Sequence, residues 1–282
     1  MGMIRRDRLM SIVLGAAVLV CVVPVAAAQT TCTPKVADAN LVKPGTLIMV
    51  TNPTLPPMQF VDSAGNLKGM RITLGEELAK RLCLKPEYIR IEFSAMIPGL
   101  QAGRWDMINT GIFWTEERAK LMHMVPYENQ ALSVSAQKGN PLKIAKVEDV
   151  AGLTMGVELG GFEERKVREL DKALVEKGLK PMTIRTFDTA TVAYQALRAG
   201  QVDVVANIDA TAAEYSKRGE FDRVITGLSP APIALAMKNK TLADAITAAL
   251  GELQREGKYQ KLLTEYGLEP LSAPLVLRGP TP

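Results

Sequence analysis

The sequence predicts an α/β protein made of two successive βα units. Three observations carry this: short β-like runs alternate with amphipathic helical runs in both halves, Gly139-Asn140-Pro141 breaks one succession from the next, and the roughly 254 of the 282 residues that follow an apolar leader suit one large or two medium domains.

The first element is a leader. Arg5, Arg6 and Arg8 precede an apolar run from Ser11 to Val25, and Ala26-Ala27-Ala28 offers a small-residue cleavage site, so residues 1–28 read as a signal peptide. The strictly apolar core from Ile12 to Val23 is shorter than the roughly 20 residues a spanning helix needs. Neither Cys21 nor Cys32 follows a small residue, so lipid anchoring is not expected. Cleavage removes three Arg and one Asp and lowers the formal charge from +4 to +2. With so little net charge and 5% aromatic residues, the chain lacks the basic, aromatic-interleaved face of a nucleic-acid binder. No later stretch is apolar enough to cross a membrane.

Thr46–Thr51 (TLIMVT) predicts a buried strand, and Thr73–Leu82 a helix whose first turn Thr73 and Glu76 would cap reciprocally. Tyr88–Phe93 follows as a strand, Met96–Ala102 as a short helix stopped by Gly103, and Asp106–Thr110 as a strand. Ala131–Ser135 predicts a further strand. In the second succession Thr154–Val157 is a strand and Phe162–Lys177 a helix with Val167, Leu170 and Leu174 on one face. Thr183–Phe187, Thr191–Ala199, Val202–Ala206 and Ala210–Arg218 continue as strand, helix, strand and helix. Beyond Ser229-Pro230-Ala231-Pro232, Ile233–Met237 predicts a last strand, followed by a helix opened by Thr241 and Asp244 and an amphipathic piece, Tyr259–Tyr266. With no strands left for a third domain, these helices are expected to cover the first unit.

Several motifs then lie in order along the chain: Gly45-Thr46-Leu47 through Asn52-Pro53-Thr54-Leu55-Pro56-Pro57, Asp62–Gly69 (DSAGNLKG), Ile97–Asp106 (IPGLQAGRWD), Thr115–Lys120 (TEERAK), Gly200-Gln201-Val202-Asp203 and Leu253–Tyr259 (LQREGKY). In these the sequence resembles family 3 solute-binding proteins, the polar amino-acid type that serves ABC importers. The resemblance implies the type II periplasmic-binding-protein fold: two α/β lobes joined by two crossing strands, closing by hinge motion over a ligand. It places the first lobe at residues 45–130 plus 233–270, the second at 136–230, and the crossing strands at 131–135 and 233–237. It implies a periplasmic monomer that delivers a small carboxylate-bearing ligand to a membrane permease, without cofactor or metal.

The same resemblance assigns site residues. Arg118 stands where a guanidinium grips the ligand's α-carboxylate, for which its planar fork of N–H donors is suited; taken alone it would be an ordinary arginine on a charged helix. Thr110 and Gly111 match the rest of that subsite, one by its hydroxyl, the other by close backbone approach. Phe113 replaces the usual Ser or Thr. Asn52, Leu55 and Met96 fall where the first lobe frames the ligand side chain, or else serve loop and core packing. Gly160, Gly161 and Phe162 open a helix after a strand, and the N–H groups of such a turn favour anionic or carbonyl groups. The acid that pairs with an α-ammonium is displaced: its position is Ile208, and Asp209 comes one residue later, on the opposite strand face unless a bulge returns it. Phe113 and Ile208 together favour a carboxylate with a substantial apolar part over a small zwitterion.

Two alternatives stand beside the importer reading. One is a periplasmic enzyme on the same fold, resembling cyclohexadienyl dehydratases, with Glu158 or Glu163 as acid. Against it, His123 is the only histidine, and no Gly-x-Ser-x-Gly, CxxC or His-x-x-x-His spacing is present. The other is a sensor that feeds a separate membrane receptor. Cys32 and Cys83 remain after cleavage, and an oxidising compartment predicts a bridge between them, the alternative being two separate thiols.

Overall fold

The computed structural model describes residue 2 and residues 32–280; the expected leader therefore lies outside the described residues, Gly2 apart. From Thr33 onward the chain is one compact unit. Among the described residues no helix is long and apolar enough to cross a membrane. Cys32 and Cys83 are both disulfide-bonded, as the sequence led us to expect of the pair.

In chain order the first half contains β1 (Thr46–Thr51), β2 (Thr54–Leu55), β3 (Gln59–Val61), β4 (Leu67–Lys68), α1 (Met70–Arg81), β5 (Lys85–Arg90), α2 (Phe93–Gln101), β6 (Met107–Phe113) and α3 (Glu116–Ala119). Then come β7 (His123–Gln137), β8 (Thr154–Glu158), α4 (Phe162–Glu176), β9 (Thr183–Phe187), α5 (Ala190–Arg198), β10 (Val204–Ile208), α6 (Asp209–Lys217), β11 (Phe221–Met237), α7 (Lys240–Arg255) and α8 (Lys258–Glu265). Eight strands form one mixed sheet in the order β5-β1-β6-β11-β7-β10-β8-β9, and β2, β3 and β4 form a small antiparallel one. Parallel pairing holds β1 to β5 and β6, and β8 to β9 and β10. Every residue of β1 is buried, as expected of a parallel strand covered on both faces.

Two long antiparallel strands, β7 and β11, join these parallel groups. They pair along their length, from His123 opposite Met237 to Gln137 opposite Phe221. At one end β11 also pairs with β6, through Ile233–Met237; at the other β7 pairs with β10, through Leu132–Ala136. The sequence predicts this last strand only from Ile233, beyond Ser229-Pro230-Ala231-Pro232, and here the structure differs: β11 runs through both prolines. Pro230 falls in the register shift between Leu228 and Ala231, where the ladder is open, whereas Pro232 keeps its place opposite Asn129 and its carbonyl accepts from the Trp114 N–H at 2.7 Å.

The start of α1 is a second correction. The helix begins at Met70 with Gly69 at its N-cap, and Thr73 lies inside it, so Thr73 and Glu76 form no capping box. Gly69 has φ +121°, and a Cβ there would sit 2.3 Å from the Met58 carbonyl oxygen. Only glycine permits that approach, and the helix starts where it does because the chain turns there. Likewise β5 ends at Arg90 opposite the last residue of β1, which leaves Phe93 to open α2 rather than close a strand.

The largest core joins distant parts of the chain. Leu47, Met49, Leu74 and Leu78 share it with Leu250, Leu253, Tyr259 and Leu263 of α7 and α8. A second core draws on Val50, Met96, Leu100 and Trp105, and a third on Val134, Val157, Val167, Leu174 and Ile225.

Candidate ligand-binding site

Strand ends bring the polar residues together. β6 ends at Phe113, β8 at Glu158 and β10 at Ile208, and all three line one cavity, in keeping with the rule that α/β sheets bind ligands beyond the carboxyl ends of their strands. Leu55, Phe93, Thr110 and Arg118 close it from the first half of the chain, and Gly161, Phe162 and Glu163 from the second. The free space is about 10 Å³, room for a single water.

Arg118 is held by local structure. Thr115 caps α3, its hydroxyl accepting the Arg118 N–H at 3.2 Å, which turns the arginine back toward the end of β6. Its guanidinium donates to the Phe113 carbonyl at 2.9 Å and to the Gly160 carbonyl at 3.5 Å, and lies 5.3 Å from the Phe93 ring centre. One edge stays partly exposed, yet surrounding protein is dense enough that burial pushes the pKa down to about 10 against the opposing pull of Glu163. Both hydrogen-bond acceptors are neutral carbonyls, so the cation faces the cavity without a bonded carboxylate.

Thr110 and Gly111 sit beside it. The Thr110 hydroxyl oxygen accepts from the Asn52 N–H at 2.7 Å and from Gln59 Nε2 at 3.3 Å, which leaves its O–H hydrogen free to donate. Gly111 has φ +85°, and a Cβ there would lie 2.6 Å from Arg71 Nη1. Arg71 fills the space behind the cavity: it donates to Gln59 Oε1 at 2.7 Å, to the Tyr127 hydroxyl at 3.0 Å and to both Glu128 oxygens at 3.1 and 3.2 Å. No reading of the sequence singled out Arg71, Gln59 or Glu128.

Two buried acids complete the cavity. Glu158 Oε1 accepts from Asn52 Nδ2 at 2.5 Å, a contact that ties the loop after β1 to the end of β8. Burial pushes the Glu158 carboxyl up to about 8, the neighbouring Glu163 adds to the shift, and the bonds from the Ala190 N–H and Asn52 oppose it. Glu163 is also raised, chiefly by burial, against its own backbone N–H and the charges of Arg118 and Arg71. The sequence reading weighed these two only as acids for catalysis. The signal for more was their spacing: a strand-end acid and a first-turn helix acid on either side of Gly160-Gly161 must converge.

Phe113 and Phe162 stack face to face across the cavity, with ring centres 4.2 Å apart and planes 20° from parallel. A double-mutant cycle on Phe113→Ala and Phe162→Ala is expected to give a coupling of about 0.5–1.5 kcal/mol in urea unfolding. Strict additivity would mean the rings do not meet in solution.

The remaining expected residues divide. Leu55 and Gly161 line the cavity, Gly160 reaches it through its carbonyl, and Asn52 through Glu158. Met96 does not line it; it is buried in the second core. Ile208 forms part of the cavity wall, whereas Asp209 lines a separate hollow with Gln130, Lys217, Arg223 and Tyr266 and accepts a hydrogen bond from Ser133 Oγ. Among the described residues no group of three or more His, Cys, Asp or Glu is placed to hold a metal ion.

Comparison with known proteins gives this site a context. The family described as bacterial extracellular solute-binding proteins, family 3, matches residues 47–269. The L-cystine-binding protein TcyJ of Escherichia coli (strain K12) is 26% identical over 223 residues, which span 77% of this chain and 81% of that protein. The arginine-binding protein ArgT of Corynebacterium glutamicum is 29% identical over 234 residues, 81% of this chain and 76% of that one. Among solved structures, an ancestral arginine-binding protein bound to glutamine superposes with a TM-score of 0.72 at 33% identity, covering 79% of this chain and 97% of that one.

Proposed function

Since the chain belongs to the family 3 bacterial extracellular solute-binding proteins, and is thus a binding protein rather than an enzyme, we propose that it captures an amino acid in the cavity between Arg118 and Phe162 and hands it to the membrane permease of an ABC importer. In this reading the leader at residues 1–28 delivers it to the periplasm, where it works as a monomer. Arg118, Thr110 and Gly111 hold the ligand's carboxylate, while Leu55, Phe113 and Phe162 bound its side chain.

The observation that carries the reading is the cavity's composition. A desolvated guanidinium with only carbonyl acceptors shares a closed space with the Thr110 hydroxyl, and residues from both parallel strand groups form its walls. Such a cation gains most from a carboxylate that arrives with it out of water.

A volume of about 10 Å³ admits no amino acid, so entry requires the walls to part. The register shifts in β11 at Leu228 and Ala231, opposite Leu132 and Gln130 of β7, support placing the hinge there, with residues 45–130 plus 233–270 moving against 136–230. L-arginine, L-cystine and L-glutamine, at a hundredfold excess over Kd, are the first compounds to test. A binder among them is expected to stabilise the fold by about 2.7 kcal/mol, read as a rise in Tm, and small-angle scattering should show the saturated protein at least as compact as the free one. An unchanged Tm with all three would reject amino-acid capture, and an expanded bound form would reject closure over the ligand.

A further inference from the structure

The cavity holds more negative than positive side chains. Glu158 and Glu163 line it, both more than nine-tenths buried, and Arg118 is the one cation that lines it among the described residues. Arg71 lies behind Gly111, committed to Glu128, Gln59 and Tyr127. The two acids differ in how they are satisfied. Glu158 is bonded by Asn52 and by the Ala190 N–H. Among the described residues Glu163 bonds only its own backbone N–H, and it turns its carboxylate over Gly161, where a Cβ would come within 2.5 Å of Oε2. A buried carboxylate without a partner from another residue is costly, and it is retained where something else supplies the partner.

We propose that Glu158 and Glu163 form the cation subsite of this cavity, holding the charged nitrogen of the ligand beside the carboxylate held by Arg118. This rests on the amino-acid reading above and gives the ligand a required ammonium that Asp209, outside the cavity, does not serve. It replaces the expectation, drawn from Phe113 and Ile208, of a carboxylate whose remainder is mainly apolar.

The exchange balances. With two acids crowded together out of water and opposed only by Arg118 and Arg71, the free pair carries a proton near neutral pH; the incoming ammonium takes its place, and the proton leaves to solvent. Binding therefore releases protons and strengthens as pH rises from about 6 to 8.

Calorimetry tests this with three matched pairs: L-arginine and 5-guanidinopentanoate, L-cystine and 3,3′-dithiodipropionate, L-glutamine and glutaramate. In the wild type at least one amino acid is expected to bind about 30-fold or more tighter than its des-amino partner. Glu163→Gln and Glu158→Gln should shrink that preference to within about threefold, because an amide offers no charge to the ammonium. Titration in two buffers of different ionisation enthalpy should show proton release in the wild type and less in the variants. Both variants relieve a buried like-charge contact, so a Tm at pH 8 at or above the wild type's verifies that they fold. A preference for the amino group that survives in both folded variants overturns the cation subsite while leaving amino-acid capture standing. Equal binding of both members of every pair does the same. Failure of all six compounds to bind the wild type removes both readings.

Discussion

Arg71→Met is expected to cost about 3–5 kcal/mol of folding stability, because it strands a buried carboxylate without its cation. Both Arg71 and Glu128 are fully shielded from solvent, and their side chains meet at 3.1 Å. Burial works against the charge on Arg71, but Glu128 and Tyr127 more than offset it and hold the guanidinium's pKa above its ordinary value. Removing the arginine leaves the Glu128 carboxylate in the protein interior with Gln130 Nε2, at 2.6 Å, as its remaining side-chain donor. The effect is conditional on leaving one charge behind. Arg71→Met combined with Glu128→Leu should recover most of the loss, since replacing a buried pair by apolar groups is often neutral or better. Urea midpoints for the two singles and the double measure both claims. A single-variant loss below about 1 kcal/mol would show that the pair contributes little beyond packing.

The second large effect concerns binding. Arg118→Ala should weaken capture of whichever of L-arginine, L-cystine or L-glutamine binds by about 2–5 kcal/mol, because the ligand's carboxylate would be desolvated without its partner. Arg118→Lys should restore part of this, as an ammonium lacks the two parallel donors of a guanidinium. Calorimetry on the three proteins decides. Wild-type affinity in Arg118→Ala would move the carboxylate elsewhere in the cavity and leave Arg118 as a lid residue that merely bonds Phe113 and Gly160.

How much of this was legible in the sequence depended on the range of the interaction. Strand β1 and helix α4 announce themselves because their own side chains set the pattern: six buried residues in a row, and Val167, Leu170 and Leu174 on one helical stripe. The prolines of β11 misled because Pro230 falls within a register shift and Pro232 keeps its place opposite Asn129 without an N–H, and both depend on partner strands far away in sequence. Thr73 misled for a similar reason, since Gly69 is fixed by contact with Met58, eleven residues earlier. The end of β10 was only partly readable: Ile208 lines the cavity, while Asp209, expected as a ligand residue, does not, because the strand stops at Ile208 and Asp209 opens α6. Arg71 lay in plain view on the stripe that includes Leu74 and Leu78, a charged residue on a buried face. Its partner, however, is 57 positions away, and local periodicity cannot name it.

The largest core also dictates an order of assembly. Leu47 and Met49 share a core with Leu250, Leu253, Tyr259 and Leu263, so the earliest strands have no complete cover until almost the whole chain is available to fold. The third core is drawn from one uninterrupted stretch between Val134 and Ile225 and can condense from contiguous chain. Contacts that close long loops form late, because their entropy must be overcome before they contribute. The middle of the polypeptide is thus expected to condense ahead of its beginning, with the N-terminal strands apolar and unprotected until the C-terminal helices dock.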